Sequence, residues 1–378
     1  MQGLSAREEA GDEKVQQREH EEQQPDGSEH GPLHASCSTL AVGTSPGHPL
    51  HQRDEPHEHA RDAHRGNDTG WSALCKAAGV GVVALGFVVA ALAHGLARAG
   101  VEASPQAMQE LTVLWAAVLG AVQGATEFLP VSSSGHLSLA QAWLGIDAES
   151  AGHRFNITVH AGTLLAVVWV FRNDVRALLR AAVRPSVASP ERTMILMMVV
   201  ASLPLGVVLL PGVEPFVVRM EGEVRWVGAA LLTTATILFF AFRGQQGVAP
   251  EPSREPPTPR QAILIGCAQL FAVLPGISRS GSTIAAGLAV GLDRGAAARF
   301  SFLISIPAIT AASLKEGLEV AMTQAEPIDP LPYVAGFLTS LVVGLLSLRG
   351  LLYLVKRGKV GVFVVYLLGI GAIAVAVG

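Results

Sequence analysis

Two long apolar stretches, 111–145 and 261–291, are each interrupted near the middle by proline, serine and glycine. In lipid, non-helical backbone survives only where protein or a water-filled cavity satisfies its N–H and C=O groups. Both stretches are therefore expected to be re-entrant helical hairpins whose tips lie inside a helical bundle. The first interruption carries Gln123-Gly-Ala-Thr-Glu127-Phe-Leu-Pro130-Val-Ser132-Ser133-Ser134-Gly135-His136; the second carries Pro275-Gly276-Ile277-Ser278-Arg279-Ser280-Gly281-Ser282-Thr283. Ionisable groups at membrane depth are costly and usually mark a site or a pathway.

The surrounding chain fixes the class. Half of the 378 residues are hydrophobic and 15% are charged, which together with the long apolar runs gives an all-α polytopic membrane protein. Residues 1–70 differ sharply: rich in Glu, Gln, Asp, His, Gly and Ser and poor in large apolar residues, they are expected to be a disordered tail. The tail histidines are irregularly spaced, as in a solvated low-complexity segment rather than a metal site. Cys37, Cys75 and Cys267 have no framework spacing and no disulfide is expected. The segment 71–100 holds the first apolar run, roughly 77–96, and is expected to be an additional N-terminal transmembrane helix. No secretory signal is expected before it, and Met108 offers an alternative start. Residues 105–378 form the membrane domain proper.

Candidate spans follow near 155–171, 193–212, 226–242, 300–318, 331–350 and 360–377. Arginines 172, 176, 180, 184 and 192 crowd one loop; Arg243, Arg254 and Arg260 a second; Arg349, Lys356, Arg357 and Lys359 a third. The loops near 147–149, 214–223 and 316–329 are more acidic. Placing the basic set in the cytoplasm makes 261–291 enter and leave from the cytoplasm and 111–145 from the outside. The two stretches also share a pattern: Gly120-x-x-Gln123 before Ser132-Ser133-Ser134-Gly135 has the spacing of Gly266-x-x-Gln269 before Ser278-Arg279-Ser280-Gly281. Halves of opposite orientation with broken helices in matching places are the pattern of inverted-topology repeats. The two tips are then expected to meet at one midplane site.

The residues at the tips suit an anion. Gln123 and Glu127, four apart, share a helix face. Glu127 could bind a divalent cation, carry a proton or pair with an arginine. Ser132, Ser133, Ser134 and Gly135 offer hydroxyls and backbone N–H groups at a helix start, where anions bind, or they cap the helix. His136 could act as general acid or attack phosphorus. Arg279, with Ser278, Ser280, Gly281 and Thr283 around it, could grip phosphate oxygens in bidentate fashion. His160 and Asn156 line the cavity or pack the core, and Arg299 reads as a snorkelling anchor. No Walker-type sequence or nucleotide fingerprint is present, so neither a nucleotide nor an organic cofactor is expected.

These motifs resemble the signature pair of the undecaprenyl-diphosphate phosphatases, the bacitracin-resistance proteins. The likeness covers roughly 108–378 and extends to Phe155…Ala161-Gly162 and Arg299-Phe-Ser-Phe-Leu303…Ile306-Pro307. It implies Glu127, Ser133, His136 and Arg279 as the catalytic set, with His136, Ser133 or water as the attacking group. It implies an integral membrane hydrolase that converts undecaprenyl diphosphate to undecaprenyl phosphate and inorganic phosphate, recycling the carrier lipid of peptidoglycan synthesis and conferring bacitracin resistance. Gln123 stands where the family often has Glu, which removes one carboxylate from any Mg2+ or other divalent cation site around Glu127. The implied location is the bacterial inner membrane, multi-pass, with the site facing the extracytoplasmic side. A polyprenyl diphosphate lipid and the bilayer are the implied partners, with no nucleic acid and a homodimer left open. The rival reading is a polyprenyl phosphate flippase with the same anion site.

Overall fold

The computed structural model describes residues 111–144, 148–183, 189–243, 253–322 and 329–378. The expected tail (1–70) and additional helix (71–100) lie outside these residues, as do Cys37 and Cys75. The described part is all helical: α1 (Val113–Phe128), α2 (Ser133–Leu144), α3 (Ala148–Val170), α4 (Arg172–Val183), α5 (Pro190–Ser202), α6 (Val213–Glu221), α7 (Val224–Phe242), α8 (Pro259–Phe271), α9 (Arg279–Ala289), α10 (Arg294–Met322), α11 (Pro330–Lys356) and α12 (Gly361–Val377). A 3-10 segment, Leu203–Leu209, prolongs α5; Pro204 cannot donate to the α-helical ladder, and the tighter turn follows.

Among the described residues, four stretches are long and apolar enough to cross a membrane: Pro190–Leu209, Val224–Phe242, Arg294–Leu318 and Pro330–Lys356. A fifth arises if α3 and α4 count as one span, but they meet at an 85° bend. The basic stretch after 171, expected as a loop, is thus a helix. It begins with the exposed Arg172, Arg176 and Arg180 and has the amphipathic pattern of a helix turned off the spanning direction. Arg299 does more than snorkel: its Nη2 lies 2.6 Å from Asp174 Oδ1, tying α10 to α4.

The bundle turns apolar side chains outward and buries polar ones within its apolar core. Leu196, Val199, Phe240, Val342 and Val365 are exposed, whereas Gln123, Glu127, Thr163, Thr234, Gln269 and Ser340 are buried. That arrangement suits a lipid solvent. Inside, small residues let backbones approach. A Cβ added to Gly124 would sit 2.6 Å from the Ser340 carbonyl oxygen, and Ser347 Oγ donates to Gly124 O at 2.6 Å, so α1 lies directly on α11. Gly162 brings α3 onto the same helix, and Gly266 brings α8 against Ala201 of α5. An aromatic cluster of Phe128, Phe171 and Phe302 fills the space between α1, α3 and α10.

Each interrupted stretch folds as two helices packed on one another, α1 on α2 and α8 on α9. The first break is short. Pro130 disfavours the helical conformation at Leu129, which is extended (ψ 146°), and Ser132 takes the left-handed region at φ 71°. The second runs from Ala272 to Ser278, with Gly276 at φ 90°. Thr234 of α7 braces it: its Oγ1 donates to Gly276 O at 3.0 Å and accepts from Ser278 N at 3.1 Å.

Candidate active site

The two breaks touch. Ser280 Oγ donates to Leu129 O at 3.1 Å, and Gly281 packs beside Pro130. Both second helices begin with the same serine arrangement. Ser132 Oγ accepts from Gly135 N at 3.4 Å and lies 3.3 Å from Ser134 Oγ; Ser278 Oγ accepts from Gly281 N at 3.1 Å and lies 3.3 Å from Ser280 Oγ. These serines therefore satisfy the N–H groups that a helix start leaves orphaned.

Glu127 is the hub. Its side chain is buried at the C-terminal end of α1. Oε1 is ion-paired with Arg279 Nη2 from the opposite tip. Oε2 accepts from Ser133 Oγ at 2.6 Å and from Gln123 Nε2 at 2.9 Å. The helical spacing that puts Gln123 and Glu127 on one face is thus used directly. A carboxylate taken out of water is tolerable only when paired and fully hydrogen-bonded, and three residues from two distant segments converge on Glu127 to do that.

His136 faces elsewhere. Its Nδ1 lies 2.7 Å from Ser132 O and its Nε2 2.7 Å from the Tyr366 hydroxyl, with the two rings stacked at 5.5 Å. The imidazole links the left-handed turn at Ser132 to α12. Thr283 is occupied structurally, its hydroxyl donating to Arg279 O at 2.8 Å and lying 2.6 Å from Ser301 Oγ. His160 of α3, by contrast, presents Nε2 to Glu127 Oε2 at 3.9 Å.

Of the residues expected from sequence, Gln123, Glu127, Ser133 and Arg279 form one connected cluster. Ser132, Ser134, Gly135, Ser278, Ser280 and Gly281 shape the turns beneath it. Tyr366 and Thr234 are additions that the sequence reading misses. The signal for them is weak: each is a hydroxyl in an apolar span, and Tyr366 is one of only three tyrosines in the chain.

A Ser hydroxyl donating to a carboxylate, with a guanidinium on the same carboxylate, is the arrangement of a nucleophile, its base and an anion clamp. A resident divalent cation fits less well. Glu127 commits both oxygens to protein donors, Gln123 brings an amide instead of a second carboxylate, and no group of three His, Cys, Asp or Glu gathers among the described residues.

Fold and site together define a helical membrane protein with a buried acid–serine–arginine cluster suited to a phosphorylated ligand. The comparisons with known proteins agree. The family model for the bacitracin resistance protein BacA matches residues 116–373. A protein of Methanosphaera stadtmanae named undecaprenyl-diphosphatase is 36% identical over 279 residues, covering 70% of this chain and 98% of the relative. Proteins of the same name from Desulfosudis oleivorans (40% over 274 residues, 69% and 97%) and Rubrobacter xylanophilus (37% over 272 residues, 70% and 98%) match similarly. The chain belongs to the BacA bacitracin resistance family.

Proposed function

We infer that this chain is an undecaprenyl-diphosphatase of the membrane, releasing inorganic phosphate from undecaprenyl diphosphate and returning undecaprenyl monophosphate to cell-wall synthesis. The observation that carries the reading, beside the family, is the contact between Ser133, Glu127 and Arg279 across two chain segments. The flippase alternative gains no support: the three relatives are named as diphosphatases, and a flippase has no need of a serine hydrogen-bonded to a base.

In the proposed scheme the lipid tail stays in the bilayer while the diphosphate reaches the tips. Arg279 turns its guanidinium to the phosphoryl oxygens, which frees Glu127 to accept a proton. Ser133 Oγ loses its proton to Glu127 Oε2 and attacks the terminal phosphorus. His136, held between Ser132 O and Tyr366, keeps the turn that carries Ser133 in place. Of the three attacking groups compatible with the sequence, the serine is favoured because both ring nitrogens of His136 have partners. Residues 105–378 are the catalytic unit in this scheme. The hairpins 111–145 and 261–291 are re-entrant, inverted repeats meeting near the midplane, with the site open to the extracytoplasmic side of the inner membrane. The matching serine caps at the starts of α2 and α9 support the repeat.

The test is phosphate release from undecaprenyl diphosphate by the purified protein in detergent, with and without Mg2+, beside Ser133→Ala. Wild-type release that falls at least about 10³-fold in the variant is the expected result, together with an acid-stable phosphoryl label on the wild-type protein. No release from folded wild type, in any metal, overturns the assignment. Release at the wild-type rate by Ser133→Ala overturns the serine route. A rate that rises with Mg2+ in step with the substrate makes the cation a companion of the diphosphate.

A further inference from the structure

Two imidazoles stand at the tips, and they are held alike up to a point. His136 Nδ1 lies 2.7 Å from Ser132 O, and His160 Nδ1 lies 2.8 Å from Asn156 O, in each case the carbonyl four residues earlier. A carbonyl oxygen only accepts, so Nδ1 carries the hydrogen in both rings and Nε2 is left as the atom that can gain or lose a proton. There the two part. His136 is buried, and its Nε2 is already held by the Tyr366 hydroxyl.

His160 Nε2 looks across 3.9 Å at Glu127 Oε2, beyond hydrogen-bond length. Its side chain is 35% exposed, against 24% for Arg279 and 3% for Glu127. An anion reaching the tips therefore meets Arg279, the half-buried Ser133 and His160 first, with Glu127 behind them. The Ser133–Glu127–Arg279 scheme gives no task to this accessible ring edge. It also lacks a group to protonate the departing lipid phosphate.

We propose that His160 is a further catalytic residue, the general acid–base of the reaction; this rests on the phosphohydrolase reading above. In the first half-reaction the Ser133 Oγ–P bond forms and the bond from terminal phosphorus to the bridging oxygen breaks. The electron pair stays on the bridging oxygen, which takes the proton from His160 Nε2 and leaves as the lipid monophosphate. The Ser133 proton rests on Glu127. In the second, water attacks the phosphoserine. One water proton returns to His160 Nε2, the O–P bond to Ser133 breaks, and Ser133 Oγ recovers its proton from Glu127. Inorganic phosphate departs with every group restored.

The test compares wild type, His160→Ala and His160→Gln as purified full-length proteins, each checked by its thermal melt in detergent. Wild-type phosphate release comes first; its absence takes the phosphohydrolase reading and this inference down together. With wild type active, both variants are expected to lose about a hundredfold in kcat, the lower end for general acid–base catalysis, with KM within a few-fold. Free imidazole is expected to restore part of the rate to His160→Ala, because the ring it replaces is accessible. It is expected to restore none to His136→Ala, whose ring bridges buried groups. If His160→Ala fails to fold, His160→Gln decides through kcat alone. Wild-type kcat in either variant, a loss confined to KM, or a folded, slow His160→Ala that imidazole leaves unchanged would each overturn the proposal.

Discussion

The two interrupted stretches start from the same plan and carry different chemistry. When Gly120-x-x-Gln123 is laid on Gly266-x-x-Gln269, Ser132, Ser134 and Gly135 fall on Ser278, Ser280 and Gly281, and the capping hydrogen bonds match. Yet Glu127 falls on Val273, Ser133 on Arg279 and His136 on Ser282. The first tip holds the acid and the hydroxyl; the second holds the cation. Gln123 bonds Glu127, whereas both amide atoms of its counterpart Gln269 are buried without a partner. The two matching sequence patterns thus carry complementary charges, and neither tip alone neutralises its own.

The largest expected effect of breaking this complementarity is at Arg279. Replacing it with Ala removes the cation proposed to meet the transition state and strands a buried carboxylate. Turnover should fall about 10³-fold or more, and stability should drop by about 3–5 kcal/mol, read as a lower thermal midpoint in detergent. Next come the hydroxyls around the second tip. Thr234→Val leaves the Gly276 carbonyl and the Ser278 N–H without their shared partner and should cost about 1–3 kcal/mol. Ser282→Ala, at the position matching His136, removes a buried hydroxyl that has no partner and should leave stability level or slightly raised. Equal losses in both would show that the tip is not braced through Thr234. Smallest in its effect on turnover is the scaffold itself: Gly124→Ala forces a methyl against the Ser340 carbonyl and should destabilise by about 1–3 kcal/mol, with the remaining folded protein keeping its kcat.

Much of the site is legible in the sequence because membranes make polar residues conspicuous. Pro130, Glu127 and Arg279 stand out in apolar surroundings, and the matched serine spacing is enough to bring their segments together. Among the roles the sequence leaves open to Glu127, pairing with an arginine is the one the fold realises, with Arg279. What escapes is what depends on helix rotation and long-range packing. Tyr366 meets His136 across 230 positions, and nothing in α12 marks which face it turns inward. His160 is compatible with cavity or core in the sequence, because an isolated histidine on a spanning helix carries no directional signal. The basic run 172–180 reads as a loop by charge. Its apolar residues, Val175, Leu178 and Leu179, instead make one helical face, and the 85° bend at Phe171 lets that face lie apart from α3.

The two tips are held to act as one catalytic unit. The most direct measurement is therefore a double-mutant cycle on phosphate release from undecaprenyl diphosphate, using Glu127→Gln, Arg279→Ala and the two combined. Groups that act together give strongly non-additive losses. Each single variant should lose about 10³-fold or more, and the double should lose little beyond either one. Losses that multiply, or a single variant with wild-type turnover, would contradict the shared site.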